Sequence, residues 1–146
     1  MTTTPREPFD GELAPVEPHE GEELAVSLTV KDLDRSLAWY RDVLAFRITQ
    51  RHEREGRAVA ASLAAGGVKV LLGQDDGAKG WDRVKGQGFS LQITTRQDVE
   101  ALARRAGEAG AVLETPFTDT PWGIRIFRVR DLDGFLFTIA SVRPSA

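Results

Sequence analysis

The chain lacks cysteine entirely and contains only two histidines among its 146 residues. Without thiols it can form no disulfide, no thiolate metal site and no cysteine nucleophile, a composition that fits a cytoplasmic protein. His19 lies in a proline-rich stretch and His52 in a polar one, so we expect both imidazoles to face solvent. Neither Ser27 nor Ser90 has a histidine at a strand position suited to activate it, so the sequence offers no pair of nucleophile and base.

Long apolar runs are also missing from the chain. No segment approaches the roughly 18–20 apolar residues that cross a membrane. The N-terminus carries prolines and acids where a signal peptide has a basic and then an apolar segment, so we expect no secretion. Hydrophobic residues make up 41% and charged residues 28%, proportions that are ordinary for a globular domain with its own core. We therefore expect one cytoplasmic domain, or two small modules that share a core.

Charge of one sign is concentrated at the N-terminus. The net charge is −3, and the first 23 residues alone hold seven acidic side chains against one arginine. The basic residues of the remaining chain are scattered along it. Proteins that bind nucleic acids cluster basic residues on one face, with aromatic residues among them where bases stack. We therefore expect no nucleic-acid partner.

Residues 1–23 form a separate N-terminal arm in this interpretation. Four of the seven prolines lie in it, and proline disfavours both helices and central strands. The arm is either unstructured or an extended segment that lies on a partner subunit, anchored by Phe9, Leu13 and Val16. The sequence leaves these alternatives open.

The next part of the chain predicts one strand, one helix and three further strands. Residues 24–30 alternate between apolar and small or polar side chains, which is typical of a half-buried strand. After Asp32 or Asp34 as the N-cap, apolar residues recur at helical spacing, namely Leu33, Leu37, Tyr40 and Leu44. Strand-like segments follow at 46–53, 57–63 and 68–73, and a polar, glycine-rich loop at 74–87 contains Trp81.

The second half repeats this order at an offset of 63 residues. Residues 88–94 alternate as a strand, and residues 98–109 predict a helix with Val99, Leu102 and Ala106 as its buried stripe. A short strand at 111–114 precedes a hairpin, whose strands 124–129 and 135–140 flank a turn containing Asp133-Gly134. The sequence therefore predicts an α+β fold of two βαβββ modules, 24–73 and 88–142, joined by loop 74–87 and followed by a tail at 143–146.

Two motifs at this separation resemble the vicinal oxygen chelate superfamily, the group of glyoxalases, bleomycin-resistance proteins and extradiol dioxygenases. The first motif is Val30–Ser36 (VKDLDRS) with Trp39–Leu44 (WYRDVL), and the second is Trp122-Gly123 followed by Asp131–Gly134 (DLDG). The resemblance covers roughly residues 24–142. It departs from the family at Leu132, Ala45 and Phe135, which stand in place of the usual Pro, Gly and Asn.

The resemblance implies a half-barrel in each module, formed by a curved mixed sheet with helices outside and a cavity on the inner face. Metal-dependent members place their ligands on inner strand faces, at positions that correspond here to Ala25, Leu71, Gly88 and Thr138. None of these side chains is an imidazole or a carboxylate, so we expect no bound metal and no cofactor. The similarity is therefore greatest to the metal-free, bleomycin-resistance-like branch.

Strand alternation indicates which side chains line the inner face. It places small residues there together with hydrogen-bonding groups and one cation, and two tryptophans lie close enough in sequence to cover the site. The candidate ligand-binding residues are Ser27, Thr29, Ser90, Gln92, Arg128, Thr138, Trp122 and Trp81. The planar guanidinium of Arg128 suits a carboxylate or a phosphate. Convergent polar groups on a concave surface are typical of small-molecule sites.

Three functions remain compatible with the sequence. The first is a metal-free protein that binds a small hydrophobic or aromatic molecule, such as an antibiotic or a metabolite, with no catalytic residue. The second is a metal-dependent lyase, isomerase or dioxygenase whose ligands lie elsewhere. The third is a non-catalytic structural or regulatory module. For all three we expect a homodimer, because a half-barrel leaves strand edges open and family members close them by pairing modules.

Overall fold

The computed structural model describes residues 13–143. Phe9, one expected anchor of the arm, lies outside these residues, as does the tail from residue 144 onward. Among the described residues, 13–24 contain no helix or strand, and the side chains of Leu13 and Val16 are exposed. Ten elements follow, namely β1 (Ala25–Val30), α1 (Leu33–Leu44), β2 (Arg47–Arg54), β3 (Arg57–Ala65), β4 (Val68–Gln74), β5 (Leu91–Thr95), α2 (Val99–Glu108), β6 (Leu113–Asp119), β7 (Arg125–Arg130) and β8 (Leu136–Ser141).

The strands form two mixed sheets of four strands each. The first sheet has the order β1-β4-β3-β2, and the second has the order β5-β8-β7-β6. In each sheet the strand before the helix pairs in parallel with the last strand of its module, and the remaining pairs are antiparallel. The predicted α+β fold of two βαβββ modules is therefore confirmed.

Both helices are capped by an aspartate: Asp32, one of the two candidates for α1, and Asp98, the first residue of the segment predicted as α2. The Asp32 carboxylate accepts a hydrogen bond from the Arg35 backbone N–H at 3.1 Å, and Asp98 accepts from Glu100 and Ala101. These bonds satisfy backbone donors that have no partner within the first turn of a helix.

Helix α1 ends in a residue with left-handed backbone geometry. Ala45 has φ 57°, and the next N–H, that of Phe46, donates to the Tyr40 carbonyl at 3.1 Å. A left-handed residue is a common way for a helix to end, and glycine adopts this conformation at lower cost than alanine because it has no Cβ. Helix α2 differs, because its C-terminal residue Ala109 has φ −79°.

We predict that Ala45→Gly stabilises the protein, although glycine lowers helix stability elsewhere. Relief of the left-handed conformation is worth roughly 1–2 kcal/mol and the added freedom of the unfolded chain costs roughly 0.4–1 kcal/mol. The expected net gain in unfolding free energy is about 0.5–1 kcal/mol, measured by denaturant unfolding. Ala109→Gly is the matched control and should destabilise. A loss of stability in Ala45→Gly would contradict the assignment of strain to this position.

The core lies between the helices and one face of each sheet, and it is shared by the two modules. Tyr40 is fully buried on α1 and meets Phe46 and Phe137 edge-on at centroid distances of 5.9 and 5.7 Å. Because Phe137 belongs to β8, these contacts join the first module to the second. None of the helices in residues 13–143 has the length and apolar character needed to cross a membrane.

Three expectations about the elements are wrong in detail. The strand predicted from Gly88 begins only at Leu91, and the short strand predicted at 111–114 runs as β6 from Leu113 to Asp119. Leu44 and Leu102, expected in the buried helix stripes, are only half-buried, whereas the fully buried neighbours in these turns include Val43 and Ala103.

The late start of β5 has a tertiary cause. Gly86 and Gly88 have φ 79° and 83°, which are not strand values. A Cβ at Gly86 would lie 2.3 Å from the carbonyl oxygen of Gly134, so the loop runs against the β7–β8 turn with no room for a side chain. The loop between the modules is therefore held against the second module until Leu91.

Two buried ion pairs also hold this loop in place. Lys85 Nζ lies 2.9 Å from the Asp75 carboxylate and 3.3 Å from that of Asp133, and all three side chains are at least 92% buried. The hydrogen bond from Lys85 and that from the Gly77 N–H hold the pKa of Asp75 at about 2, below its usual 3.8, with Arg83 contributing a further positive charge. Asp75 lies directly after β4, Lys85 lies in the loop and Asp133 lies in the β7–β8 turn. The two ion pairs of Lys85 therefore connect the loop to the end of β4 and to this turn.

We predict an acid transition that depends on Asp75. Because its folded pKa is below its unfolded pKa, Asp75 stabilises the fold above pH 3.8, and this contribution is lost as the pH falls towards about 2. The melting temperature of the native chain should therefore fall more steeply over this range than that of Asp75→Asn, and the difference between the two should shrink as the pH is lowered. A constant difference from neutral pH down to about 2 would contradict the prediction.

Candidate functional site

The first sheet has one face that no helix covers. Strand alternation and register place the residues of β1, β3 and β4 on it in aligned rows, of which the central one is Ser27, Leu71 and Ser62. Most of its side chains are small. The face consists of Ala25, Ser27, Thr29, Ala60, Ser62, Ala64, Lys69, Leu71 and Gly73. Apart from Lys69, which pairs with Glu23 at 2.8 Å, it is an apolar surface with hydroxyl groups, and Leu71 on it is 40% exposed.

The second sheet carries a row of polar side chains on the equivalent face. Gln92 on β5 is opposite Thr138 on β8, and Thr138 is opposite Arg128 on β7. Arg128 in turn is opposite Thr115 on β6. The register thus brings together four hydrogen-bonding side chains from four strands.

Arg128 and Thr138 contact each other directly. The Nε–H of Arg128 donates to the Thr138 hydroxyl oxygen at 3.1 Å. Thr138 is buried, whereas Arg128 is half-buried and Gln92 is exposed. Thr138 therefore holds the guanidinium in place, and the other N–H groups of Arg128 remain able to donate to a ligand.

The other predicted residues are more dispersed. Ser27 and Thr29 lie exposed on the first sheet. Ser90 was expected on a strand, but it is exposed just before β5 begins. Trp122 is 60% exposed in the turn before β7. Trp81 is 50% exposed, and its ring lies so close to Gly77 that a Cβ there would be 2.4 Å from it, so the loop itself supports the ring.

Sequence reasoning missed three polar residues that share these faces. Ser62 lies on the open face of the first sheet, Thr115 belongs to the polar row of the second, and Thr94 lies beside that row. Alternation within β3 and β5 could have identified Ser62 and Thr94. Thr115 could not be found in this way, because β6 has two irregularities in its pairing with β7.

The residues present do not fit a divalent metal of the kind the family uses. Ala25 and Leu71 offer no donor atom, Gly88 lies outside β5, and the Thr138 hydroxyl already accepts from Arg128. Within residues 13–143 there is no group of three His, Asp or Glu side chains placed to hold a metal ion. The chemistry of these faces is hydrogen bonding and apolar contact.

The Asp-Leu-Asp-Gly motif has a structural role. The Asp131 carboxylate accepts hydrogen bonds from the Tyr40 hydroxyl at 2.5 Å and from the backbone N–H groups of Asp133 and Phe135 at 2.9 and 2.8 Å. Burial raises the pKa of Asp131 above its usual value, despite these hydrogen bonds. Asp133 accepts from the Lys31 backbone N–H at 2.8 Å, so the turn is bonded to the first module through both of its aspartates.

Solved structures with related sequences have the same architecture. A structure of TioX from Micromonospora sp. ML1 is 30% identical, with a TM-score of 0.66, covering 83% of this chain and 98% of that one. A glyoxylase/bleomycin resistance protein/dioxygenase domain from Frankia sp. EAN1pec is 28% identical, with a TM-score of 0.69, covering 88% and 96%. A superfamily member from Sphaerobacter thermophilus DSM 20745, 21% identical with a TM-score of 0.67 over 84% and 98%, shares the fold.

Sequence comparison gives the same assignment. No curated protein matches the sequence significantly. The family model described as the Glyoxalase/Bleomycin resistance protein/Dioxygenase superfamily matches residues 24–139, which include the first module, the second module up to β8, and both motifs. The chain therefore belongs to the glyoxalase/bleomycin resistance protein/dioxygenase superfamily.

Proposed function

We propose that this protein binds a small organic molecule without a metal, on the open faces of its two sheets. The observation that carries the proposal is the aligned row of Gln92, Thr138 and Arg128 beside a second face of small side chains. A concave surface that is mostly apolar, with a few polar groups to orient the ligand, is the usual form of a small-molecule site. A cytoplasmic location, suggested by the cysteine-free sequence, is part of the same proposal.

The ligand we infer has a flat or compact apolar body and one acidic group. Arg128 is the only charged residue in the row, and Thr138 holds one edge of its guanidinium. A carboxylate or phosphate suits the remaining N–H groups, because a planar fork can donate two parallel hydrogen bonds to it. The small side chains around Ser27 and Ser62 leave space for the apolar body, and the exposed ring of Trp122 is suited to stacking on it.

Catalysis is not part of the proposal. General acid–base chemistry needs a titratable group within hydrogen-bond reach of the substrate. The side chains of the row offer amide, hydroxyl and guanidinium groups rather than the imidazole, carboxylate or amine groups that usually act as general acids and bases. A metal-dependent lyase, isomerase or dioxygenase would need donors at positions that here hold Ala25 and Leu71. Binding is therefore the function that these residues support best.

We further propose that the functional unit is a homodimer in which each open face is covered by a second copy. Exposed apolar side chains such as Leu71 make the first sheet suited to association. Strands β1 and β5 are at the edges of their sheets, where unpaired backbone groups favour pairing with another chain. A cup built from the first sheet of one copy and the second sheet of the other would enclose a ligand.

Sedimentation velocity tests the dimer. We predict a dimer at tens of micromolar for the native chain and a monomer for Leu71→Glu, because the substitution places a charge within the covered face. Val112→Glu is the matched control, since Val112 is 88% exposed between α2 and β6, away from both faces. A monomeric native chain, or a Leu71→Glu variant that stays dimeric, would contradict this arrangement.

A further inference from the structure

A cavity of about 520 Å³ lies between the two modules near the C-terminal end of α1. The first module lines it with Leu44 and Val68, and the second with Ile93 and Leu102. Ile93 points to the helix side of the second sheet, because its neighbours Gln92 and Thr94 point to the open face. Thr94, near the end of β5, also lines the cavity, whereas Gln92, Thr138 and Arg128 of the polar row do not.

The position of this cavity explains two features of the helices. Leu44 and Leu102 continue the apolar stripes of α1 and α2, yet both are only half-buried. Both side chains line the cavity, so the side of each that faces it is not covered by other protein atoms. The volume falls within the roughly 300–1,000 Å³ of small-molecule pockets.

The charged side chains of the lining are all of one sign. Arg96 and Arg105 line the cavity, and no acidic side chain from residues 13–143 does. Arg105 donates to the backbone carbonyls of Arg41 and Asp42 at 3.3 and 3.4 Å, where the end of α1 carries partial negative charge. Arg105 thereby offsets the partial negative charge of these two carbonyls.

Arg96 remains available for a ligand. It follows directly after β5 at the start of the connection to α2, is exposed, and forms no hydrogen bond or ion pair with the residues that the structure describes. An unpaired guanidinium beside an apolar cavity matches an amphipathic anion, whose tail removes apolar surface from water while its acid pairs with the arginine.

We propose that this cavity is a second binding site, which takes a small carboxylate with an extended apolar tail. Arg96 binds the carboxylate, and the leucine and isoleucine side chains of the two modules contact the tail. Because both modules contribute to the lining, occupancy favours the folded chain and raises its melting temperature. The site is independent of the function proposed above, since neither Arg128 nor any other residue of the polar row lines it.

Octanoate is the probe, with octylammonium and 1-octanol as analogues of the same length and different charge. Octanoate should bind in a saturable way by calorimetry and raise the melting temperature, while octylammonium should bind more weakly than the neutral alcohol. Arg96→Met should weaken octanoate binding roughly tenfold and leave 1-octanol unchanged. Arg104→Met is the matched control, because Arg104 is exposed on α2 outside the cavity, and it should bind octanoate like the native chain.

Two further variants locate the probe. Gly67 lines the cavity with ordinary backbone geometry and open space at its Cβ position, so Gly67→Leu should fold and should weaken both octanoate and 1-octanol. Arg128→Met should leave unchanged the octanoate binding that Arg96→Met weakens, since Arg128 does not line this cavity. The proposal is overturned if octanoate fails to bind, if octylammonium binds equally well, or if Arg128→Met abolishes binding while Arg96→Met does not.

Discussion

Replacing Asp131 with alanine is expected to lower the free energy of unfolding by about 3 kcal/mol or more. The substitution removes the acceptor of three hydrogen bonds, from the Tyr40 hydroxyl and from the backbone of Asp133 and Phe135. Tyr40 is completely buried, so its hydroxyl would be left without a partner in the shared core. An unsatisfied buried donor costs roughly 1–3 kcal/mol.

Tyr40→Phe removes the same contact from the other side and should cost about 1.5–3 kcal/mol, the usual value for a hydrogen bond to a charged group. The double variant should lose less than the sum of the two single losses, because the residues share one contact. Asp82→Ala is the control for a surface aspartate, since the Asp82 side chain is 97% exposed, and it should change stability by less than about 0.5 kcal/mol. Denaturant unfolding measures all four variants, and additive single losses would contradict a direct contact.

The second large effect concerns ligand binding by Arg128. With 2-naphthoate as a probe of the proposed flat, acidic ligand, Arg128→Met should weaken binding roughly tenfold to a hundredfold, because a charged, bidentate contact is lost. Arg128→Lys should restore only part of the affinity, since an ammonium keeps the charge without the planar fork. The neutral amide 2-naphthamide should bind more weakly and be nearly insensitive to both substitutions.

Arg125→Met provides the matched control for this experiment. Arg125 is on the same strand, is exposed, and pairs with Asp119 at 3.0 Å rather than with the polar row. Its replacement should leave 2-naphthoate affinity unchanged. Equal losses in the two variants would mean that the probe responds to net charge alone, and would contradict a specific role for Arg128.

Local signals in the sequence were sufficient for most of the fold. The helix starts follow from Asp32 and Asp98, whose carboxylates bond to backbone N–H groups no more than three residues away. Strand alternation identified the helix-facing side of β8 as well as the face that carries Thr138. These features depend on neighbours in sequence, and for that reason a single sequence reveals them.

The features that were missed depend on contacts between distant residues. The start of β5 is delayed because Gly86 passes against Gly134, which is 48 positions later in the chain. The burial of Asp131 depends on Tyr40, 91 positions earlier. The cavity between the modules could not be predicted for a similar reason. The apolar stripe that contains Leu44 has the same sequence pattern whether other side chains or an open cavity lie opposite it.

The central claim, metal-free binding of a small organic molecule, is tested most directly by melting curves of metal-stripped protein. The curves are recorded alone, with Zn²⁺, Ni²⁺, Mn²⁺ or Fe²⁺, and with 2-naphthoate. A ligand at 100 times its Kd stabilises the fold by roughly 2.7 kcal/mol, which corresponds to a rise of several degrees. We predict no shift with any metal and a saturable rise with 2-naphthoate in metal-stripped protein. A saturable rise with one metal, together with 2-naphthoate binding only in its presence, would contradict the account.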